Sequence, residues 1–141
     1  MKKIVAIFML ILTCISCSGD DTKPPTTYYG KWQLIEISGS SVNSLTIGSE
    51  MIWQESYNFE TNGKFIKIRI QDDITTTESG TFLISKISNE THFELTYSKS
   101  SALIGNCDGN LKEYLFINSN NLLSNTWQNC DGPVLVYQKK D

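Results

Sequence analysis

The chain has 141 residues and a formal net charge of −3 at pH 7, a length that suits one domain with its own core. Nucleic-acid binding normally needs a basic surface, and Arg69 is the only arginine. The sequence contains no glycine-rich phosphate loop, histidine-rich cluster or paired metal-ligand cysteine motif. We therefore expect no nucleic-acid partner, no metal and no cofactor.

The first segment has the order of features found in a bacterial signal peptide. Lys2 and Lys3 precede an apolar run over residues 4–12, and small residues follow. The run is shorter than the about 20 residues that a membrane-spanning helix needs. Ser16 before Cys17 resembles a lipoprotein box, although Cys14 stands where such boxes usually carry leucine. We predict a signal peptide over residues 1–16 and lipidation of Cys17, for example by palmitate.

Two alternatives to this assignment stay open. Cys14 is a rival acceptor, but threonine is a poorer residue than serine just before the acylated cysteine. Ordinary secretion, with both cysteines incidental, would leave the protein without an anchor.

Residues 17–28 form the predicted flexible tether. The stretch after Cys17 lacks aliphatic residues and contains two prolines, which favour an extended path. Its start, residues 18–21, reads Ser-Gly-Asp-Asp and resembles the acidic surface-export signal of Bacteroidetes lipoproteins. This resemblance implies a lipid anchor in the outer membrane and exposure at the cell surface. A plain solvated linker is the alternative.

The rest of the chain, residues 29–141, reads as one all-β domain. Alternating apolar and polar residues predict eight strands, and no convincing helix separates them. Short turns join most of them, at Asn62-Gly63, Asp72-Asp73, Asn89-Glu90 and residues 118–120. Residues 38–52 form a longer loop with a short helical turn. The predicted strands span residues 29–37, 53–60, 64–71, 74–87, 91–97, 111–117, 121–128 and 133–140.

Eight sequential strands predict a closed sheet. A flat sheet would leave two open edges, and closure removes them. We therefore predict an eight-stranded antiparallel up-and-down barrel, with a two-sheet sandwich as the alternative. Gly80 interrupts the longest strand and is expected to mark a bulge or a sharp bend.

Two motifs resemble the lipocalin and lipocalin-like families. Gly30-x-Trp32 opens the first strand, and Tyr57-x-Phe59 is followed by Gly63-x-Phe65 across a hairpin. The resemblance implies that Trp32 plugs the closed end of a barrel and that the first long loop crosses its mouth. It also implies a small hydrophobic or amphipathic ligand in the interior.

The chain also departs from the lipocalin pattern. It lacks a Thr-Asp-Tyr turn and an arginine near the C-terminus to cover Trp32, so Lys139 or Lys140 is the nearest substitute. Eight strands leave room for side chains alone or for one small ligand. The candidate ligand-cavity residues are Trp53, Tyr57, Phe59, Phe82, Phe93 and Trp127.

Cys107 and Cys130 lie in two copies of the tetrapeptide Asn-Cys-Asp-Gly, at residues 106–109 and 129–132. The midpoint between the two cysteines is 118.5, within the predicted turn at residues 118–120. A hairpin centred there would bring them opposite each other, and export places them in an oxidising compartment. We predict a disulfide between them. Metal binding by both cysteines with Asp108 and Asp131 is the alternative.

The sequence does not favour an enzyme. His92 is the sole histidine and falls on the polar face of its strand, so it is expected to be solvated. The acidic pairs at residues 20–21 and 72–73 lie in a linker and a turn, unlike the paired carboxylates of a glycosidase. Two non-catalytic functions remain open for what we expect to be a monomer. One is binding of a small ligand, and the other is a structural or interaction module that binds a protein or glycan through its loops.

Overall fold

The computed structural model describes residues 28–39 and 44–141. The predicted signal peptide, Cys14, Cys17 and most of the tether lie outside the described residues. Within the described ranges, no helix is long and apolar enough to cross a membrane.

The domain is a closed antiparallel barrel, as predicted. Eight strands follow one another around it, and the last pairs with the first to close the sheet. A ninth, two-residue strand, β2, pairs only with β1. The strands are β1 (Gly30–Ser38), β2 (Thr46–Ile47), β3 (Gln54–Phe59), β4 (Lys64–Gln71), β5 (Ile74–Ile87), β6 (Glu90–Tyr97), β7 (Lys112–Ile117), β8 (Leu123–Asn125) and β9 (Val134–Lys139). Two short 3-10 helices, η1 (Gly48–Glu50) and η2 (Trp127–Cys130), lie in loops.

The two ends of the barrel differ in their connections. At the end where the chain enters β1, here called the entry end, the turns are short and cover residues 60–63, 88–89 and 118–122. The opposite end, here called the mouth, carries the turn at residues 72–73 and three long loops. The first connects β1 to β3, and its described residues are 39 and 44–53; the other two span residues 98–111 and 126–133. The helical turn expected in the first of them is η1.

The tight turns follow backbone requirements. Gly63 has a φ of 80°, and Asp72 and Asp73 have φ values of 50° and 62°. The turn expected at Asn89-Glu90 instead uses Ser88 and Asn89, with φ values of 49° and 71°. A two-residue turn of type I′ has positive φ at both positions, which asparagine tolerates better than glutamate does. Asn89 therefore takes the second position, and Glu90 begins β6.

Of the bulge or sharp bend expected at Gly80, the bulge is wrong, and the register shift lies in a different strand. β5 keeps a regular register with both neighbours through Gly80. A Cβ at this position would overlap the carbonyl oxygen of Thr96, so glycine permits a close approach of the two strands. The register shift occurs in β1, between Leu34 and Glu36. It turns Ile37 into the interior together with Leu34, although the two lie on opposite faces in a regular strand.

The strand predicted over residues 121–128 is much shorter. The β7–β8 hairpin pairs Ile117 with Leu123 and is therefore centred on Asn120, not at 118.5. The side-chain oxygen of Asn118 accepts hydrogen bonds from the amides of Asn120 and Leu122, which holds these residues in the turn. β8 ends at Asn125, and Trp127 begins η2.

Candidate functional site

Four of the predicted cavity residues form the aromatic core of the barrel. Tyr57, Phe59, Phe82 and Phe93 are buried, and each inward position follows from the alternation of its strand. The Phe59 ring centroid lies 4.9 Å from that of Phe82 and 5.1 Å from that of Phe93. Tyr57 stacks on Phe59 at 5.6 Å. The rings contact one another, so this part of the interior is filled by side chains.

Trp32 lies toward the entry end, where the resemblance placed a plug. Its side chain is 1% exposed, and its indole nitrogen donates a hydrogen bond to the carbonyl oxygen of Tyr28 at 3.0 Å. In the sheet it is paired with Tyr57 on one side and Lys139 on the other. The residue therefore connects the first strand with its neighbours at the closure of the barrel.

The mouth half of the interior contains buried charges. Glu55, Lys67 and Glu113 point inward from β3, β4 and β7, and each is at most 1% exposed. The Lys67 ammonium nitrogen lies 3.3 Å from Glu55 Oε1 and 3.1 Å from Glu113 Oε1. It also donates to the carbonyl oxygen of Leu103 at 2.6 Å. Its hydrogen bonds go to Leu103 and to both oxygens of Glu113, whereas Glu55 is an ion-pair partner. These three acceptor atoms match the three protons of an ammonium group.

Buried tyrosines complete the hydrogen bonding of both carboxylates. Tyr137 donates to Glu55 Oε1 at 2.5 Å, and Tyr97 donates to Glu113 Oε2. Burial, followed by the nearby carboxylates, raises the pKa of both phenols well above the usual value of 10.0. Burial also raises the pKa of Tyr57 well above this value. The phenols therefore stay protonated and act as donors.

Arg69 and Trp53 extend this group toward the mouth. Arg69 Nε donates to Glu55 Oε2 at 2.5 Å, and its guanidinium carbon lies 4.3 Å from the centroid of the Trp53 ring. Trp53 is half-buried and precedes β3, although the sequence predicted it as a strand residue. We call Glu55, Lys67, Arg69 and Glu113 the charged cluster; its two carboxylates and two cations balance. In the part of the chain that the structure describes, three buried side-chain polar atoms have no hydrogen-bond partner: Trp53 Nε1, Arg69 Nη2 and the Tyr57 hydroxyl oxygen.

The Tyr57 hydroxyl has a particular position among these groups. It is near enough to the hydroxyls of Tyr97 and Tyr137 to act toward a lower pKa in both, against the larger effect of burial. The Tyr57 oxygen nevertheless has no hydrogen-bond partner of acceptable geometry. Its hydroxyl is therefore available to another group.

The loop of residues 98–111 closes the mouth over the charged cluster. Leu103 is 6% exposed, and its carbonyl oxygen is the Lys67 acceptor. The amide of Gly105 donates to Glu113 Oε1 at 3.2 Å. Just before Leu103 the loop makes a turn, in which the Ser101 hydroxyl accepts a hydrogen bond from the Leu103 amide. The backbone of this loop thus supplies both an acceptor and a donor to the charged cluster.

The far part of the same loop is fixed to η2. Cys107 and Cys130 form the predicted disulfide, with their Cα atoms 5.6 Å apart. The predicted pairing is therefore confirmed. The argument used for it was wrong in one respect, because the β7–β8 hairpin is not centred at 118.5 and neither cysteine lies on a strand. The Trp127 ring packs against Gly105 and Gly132, where an added Cβ would collide with it. Trp127 therefore lies in η2 against the loop, apart from the aromatic core residues with which the sequence grouped it.

The residues of the charged cluster were not among the predicted site residues. A signal was present, because Lys67 is two positions from Phe65 and Glu55 is two positions from Tyr57. Residues two apart share a face of a strand, so these charges had to point where the aromatic residues point.

Several other candidate features are placed at the surface. His92 lies on the outer wall with its side chain 30% exposed, 3.4 Å from Glu90. Within the described residues, no group of three His, Cys, Asp or Glu side chains could hold a metal ion. A groove of about 640 Å³ lies beside Gly80, and a cleft of about 270 Å³ lies at the mouth beside Arg69 and Leu103.

Comparisons with known proteins gave no match. No family model, no curated protein and no solved structure showed significant similarity to the chain.

Proposed function

We propose that the protein is a non-catalytic binding protein of the cell envelope, anchored in the outer membrane through Cys17, that binds a small amphipathic molecule at the mouth of its barrel. The observation that supports this proposal is the charged cluster. It lies between the aromatic core and a loop, so a molecule entering the mouth would meet polar groups beside aromatic ones.

The energetics of burial support a role in recognition. Removing charges from water costs several kcal/mol per ion, and well-packed apolar residues often stabilise a fold at least as well as a buried ion pair of similar volume does. The aromatic core of Phe59, Phe82 and Phe93 demonstrates that this barrel can be filled without charge. Among residues 28–39 and 44–141, three buried side-chain polar atoms also lack a hydrogen-bond partner, including the Tyr57 hydroxyl. A ligand that forms hydrogen bonds with these atoms would offset the cost of burying them.

Native mass spectrometry tests the binding function. The protein is purified from its own host and analysed for a co-purified small molecule. Glu113→Gln keeps the shape of the side chain but removes its charge from the cluster, so we expect the bound mass to be lost. Glu94→Gln is the matched control, since Glu94 lies on the outer wall and pairs with Lys112. No bound mass in the wild type, or equal occupancy in both variants, would reject the proposal.

Membrane fractionation tests the anchor separately. We expect Cys17→Ala to release the protein from the membrane, because Ser16 and the polar tether fit acylation at that residue. Cys14→Ala serves as the control and should remain in the membrane fraction. Retention of the Cys17→Ala protein would rule out this residue as the anchor.

A second candidate function is an interaction module. Three apolar side chains in the 39–53 loop are prominently exposed: Leu45 at 56%, Ile47 at 58% and Ile52 at 64%. Exposed apolar residues close together at one loop are typical of contact surfaces. Chemical cross-linking in cells would discriminate the two functions. A cross-linked partner that disappears when all three residues become serine, and persists in Glu113→Gln, favours the module.

A further inference from the structure

The loop that closes the mouth presents two adjacent peptide groups to the charged cluster. Leu103 supplies a carbonyl oxygen to Lys67, Gly105 supplies an N–H to Glu113, and the Leu103 side chain is buried beside them. An acceptor, a donor and an aliphatic group therefore occupy the mouth together. All three belong to a loop and not to a strand of the barrel.

Displacing this loop would leave a defined set of unmet hydrogen bonds. Lys67 donates hydrogen bonds to Leu103 and to the Glu113 carboxylate and forms an ion pair with Glu55. Without Leu103, an ammonium proton would lose its partner. Glu113 Oε1 would lose the Gly105 amide as a donor. Buried groups left unpaired in this way are costly, so an occupant must supply both an acceptor and a donor.

The charge of the cluster restricts that occupant further. Two carboxylates and two cations already balance one another, and Lys67 is entirely buried between the two glutamates. An anion would approach both carboxylates, and a cation would approach Lys67 and Arg69. A fifth buried charge would therefore lack a counterion, which is strongly unfavourable. A neutral group is the remaining choice.

We propose that the mouth is a binding site for an uncharged, peptide-like amide that carries an aliphatic side chain and takes the place of Leu103. Its carbonyl accepts from Lys67, its N–H donates to Glu113, and its aliphatic group fills the space that Leu103 leaves. This inference rests on the proposed binding function and specifies the chemical class of the ligand.

The loop is attached in a way that permits this exchange. The disulfide at Cys107 holds the part of the loop that follows Gly105. The segment over the cluster is held by non-covalent contacts alone: Leu103, Ile104 against the core, Gly105 against Trp127, and two backbone hydrogen bonds. Residues 101–105 could therefore move outward while the rest of the loop stays attached to η2.

The test uses N-acetyl-leucinamide as a probe, with N-acetyl-leucine and leucinamide as charged counterparts of similar size. Binding is measured by titration calorimetry to the mature protein and to Leu103→Ala. Truncating Leu103 weakens closure of the loop, so the open fraction rises and the apparent affinity for the neutral probe should rise at least about tenfold. Leu111→Ala is the matched control, since Leu111 lies in the same loop and is 39% exposed. It should leave the affinity unchanged.

Amide hydrogen exchange on the wild type gives a second measurement, which does not depend on a variant that folds. The neutral probe should accelerate exchange of the Gly105 amide, because the probe takes its place on Glu113, and should leave the β6 and β7 amides protected. Equal binding of a charged probe, with faster Gly105 exchange, would overturn the neutral amide class while the mouth remained a binding site. If no probe accelerates Gly105 exchange or binds Leu103→Ala, this inference is wrong. The proposed function would then depend on the co-purified ligand alone.

Discussion

At the scale of single residues, Trp32 and Trp53 allow a direct comparison of the two ends of the barrel. Trp32 is 1% exposed, whereas Trp53 is half-buried beneath Arg69. Truncating a buried tryptophan to alanine typically costs about 3–5 kcal/mol. We expect Trp32→Ala to lose stability of this order and Trp53→Ala to lose less. Thermal melts of both variants measure the difference, and equal losses would mean that Trp32 does not have the structural role assigned to it.

Tyr137 and Tyr57 differ in their hydrogen bonding, because the Tyr137 hydroxyl has a partner and the Tyr57 hydroxyl has none. Tyr137→Phe removes the hydrogen bond to Glu55, and bonds to charged groups are worth about 1.5–3 kcal/mol. Tyr57→Phe removes a hydroxyl that has no partner, so we expect little loss of stability or a small gain. Urea denaturation of the two variants tests this order. A larger loss for Tyr57→Phe would show that its hydroxyl has a partner in solution.

At the scale of structural elements, the disulfide joins the 98–111 loop to η2 across 23 residues of sequence. In the loop-entropy model, closing a ring of this size contributes about 3 kcal/mol to stability. We expect Cys107→Ser with Cys130→Ser to unfold at a lower temperature but to keep the barrel, since neither cysteine lies on a strand. Circular dichroism measures both properties.

Thiol labelling of the wild-type protein provides an independent check of the disulfide. The described domain should expose no reactive thiol at Cys107 or Cys130 before reduction, and both after it. Labelling of both cysteines in the unreduced protein would contradict the disulfide.

The strands were the elements that the sequence predicted best. Alternation located β3, β4, β5 and β6 to within about two residues, the usual uncertainty of element ends. β8 was predicted too long because Asn118 and Asn125 form side-chain hydrogen bonds with the backbone. Such bonds compete with strand pairing, and a pattern of apolar residues does not report them.

At the scale of the whole molecule, the buried phenols make stability depend on alkaline pH. The folded state raises the pKa of Tyr57, Tyr97 and Tyr137 well above 10.0, so it favours their protonated forms. This contribution is complete below the pKa of the unfolded chain, about 10, and is lost as the pH rises from there through the raised values. We expect the free energy of unfolding to fall steeply in that range.

Chemical denaturation at a series of pH values above about 9 measures this slope, which counts the protons released on unfolding. Tyr137→Phe should have the shallower slope because it has one buried phenol fewer. Tyr114→Phe is the control, since Tyr114 is 38% exposed on the outer wall. An unchanged slope in Tyr137→Phe would contradict the assigned shift.

By itself, the sequence determined the barrel, its strand order and the partner of each domain cysteine. Alternation and turn residues act over a few positions, and sequential antiparallel pairing needs little more information. Only the tertiary structure decided what fills the interior. Glu55, Lys67 and Glu113 belong to three different strands, and Leu103 lies in a loop. Alternation within a strand shows that Glu55 and Lys67 point inward, but only closure of the barrel brings the charges together with the tyrosines and the loop that offset the cost of their burial.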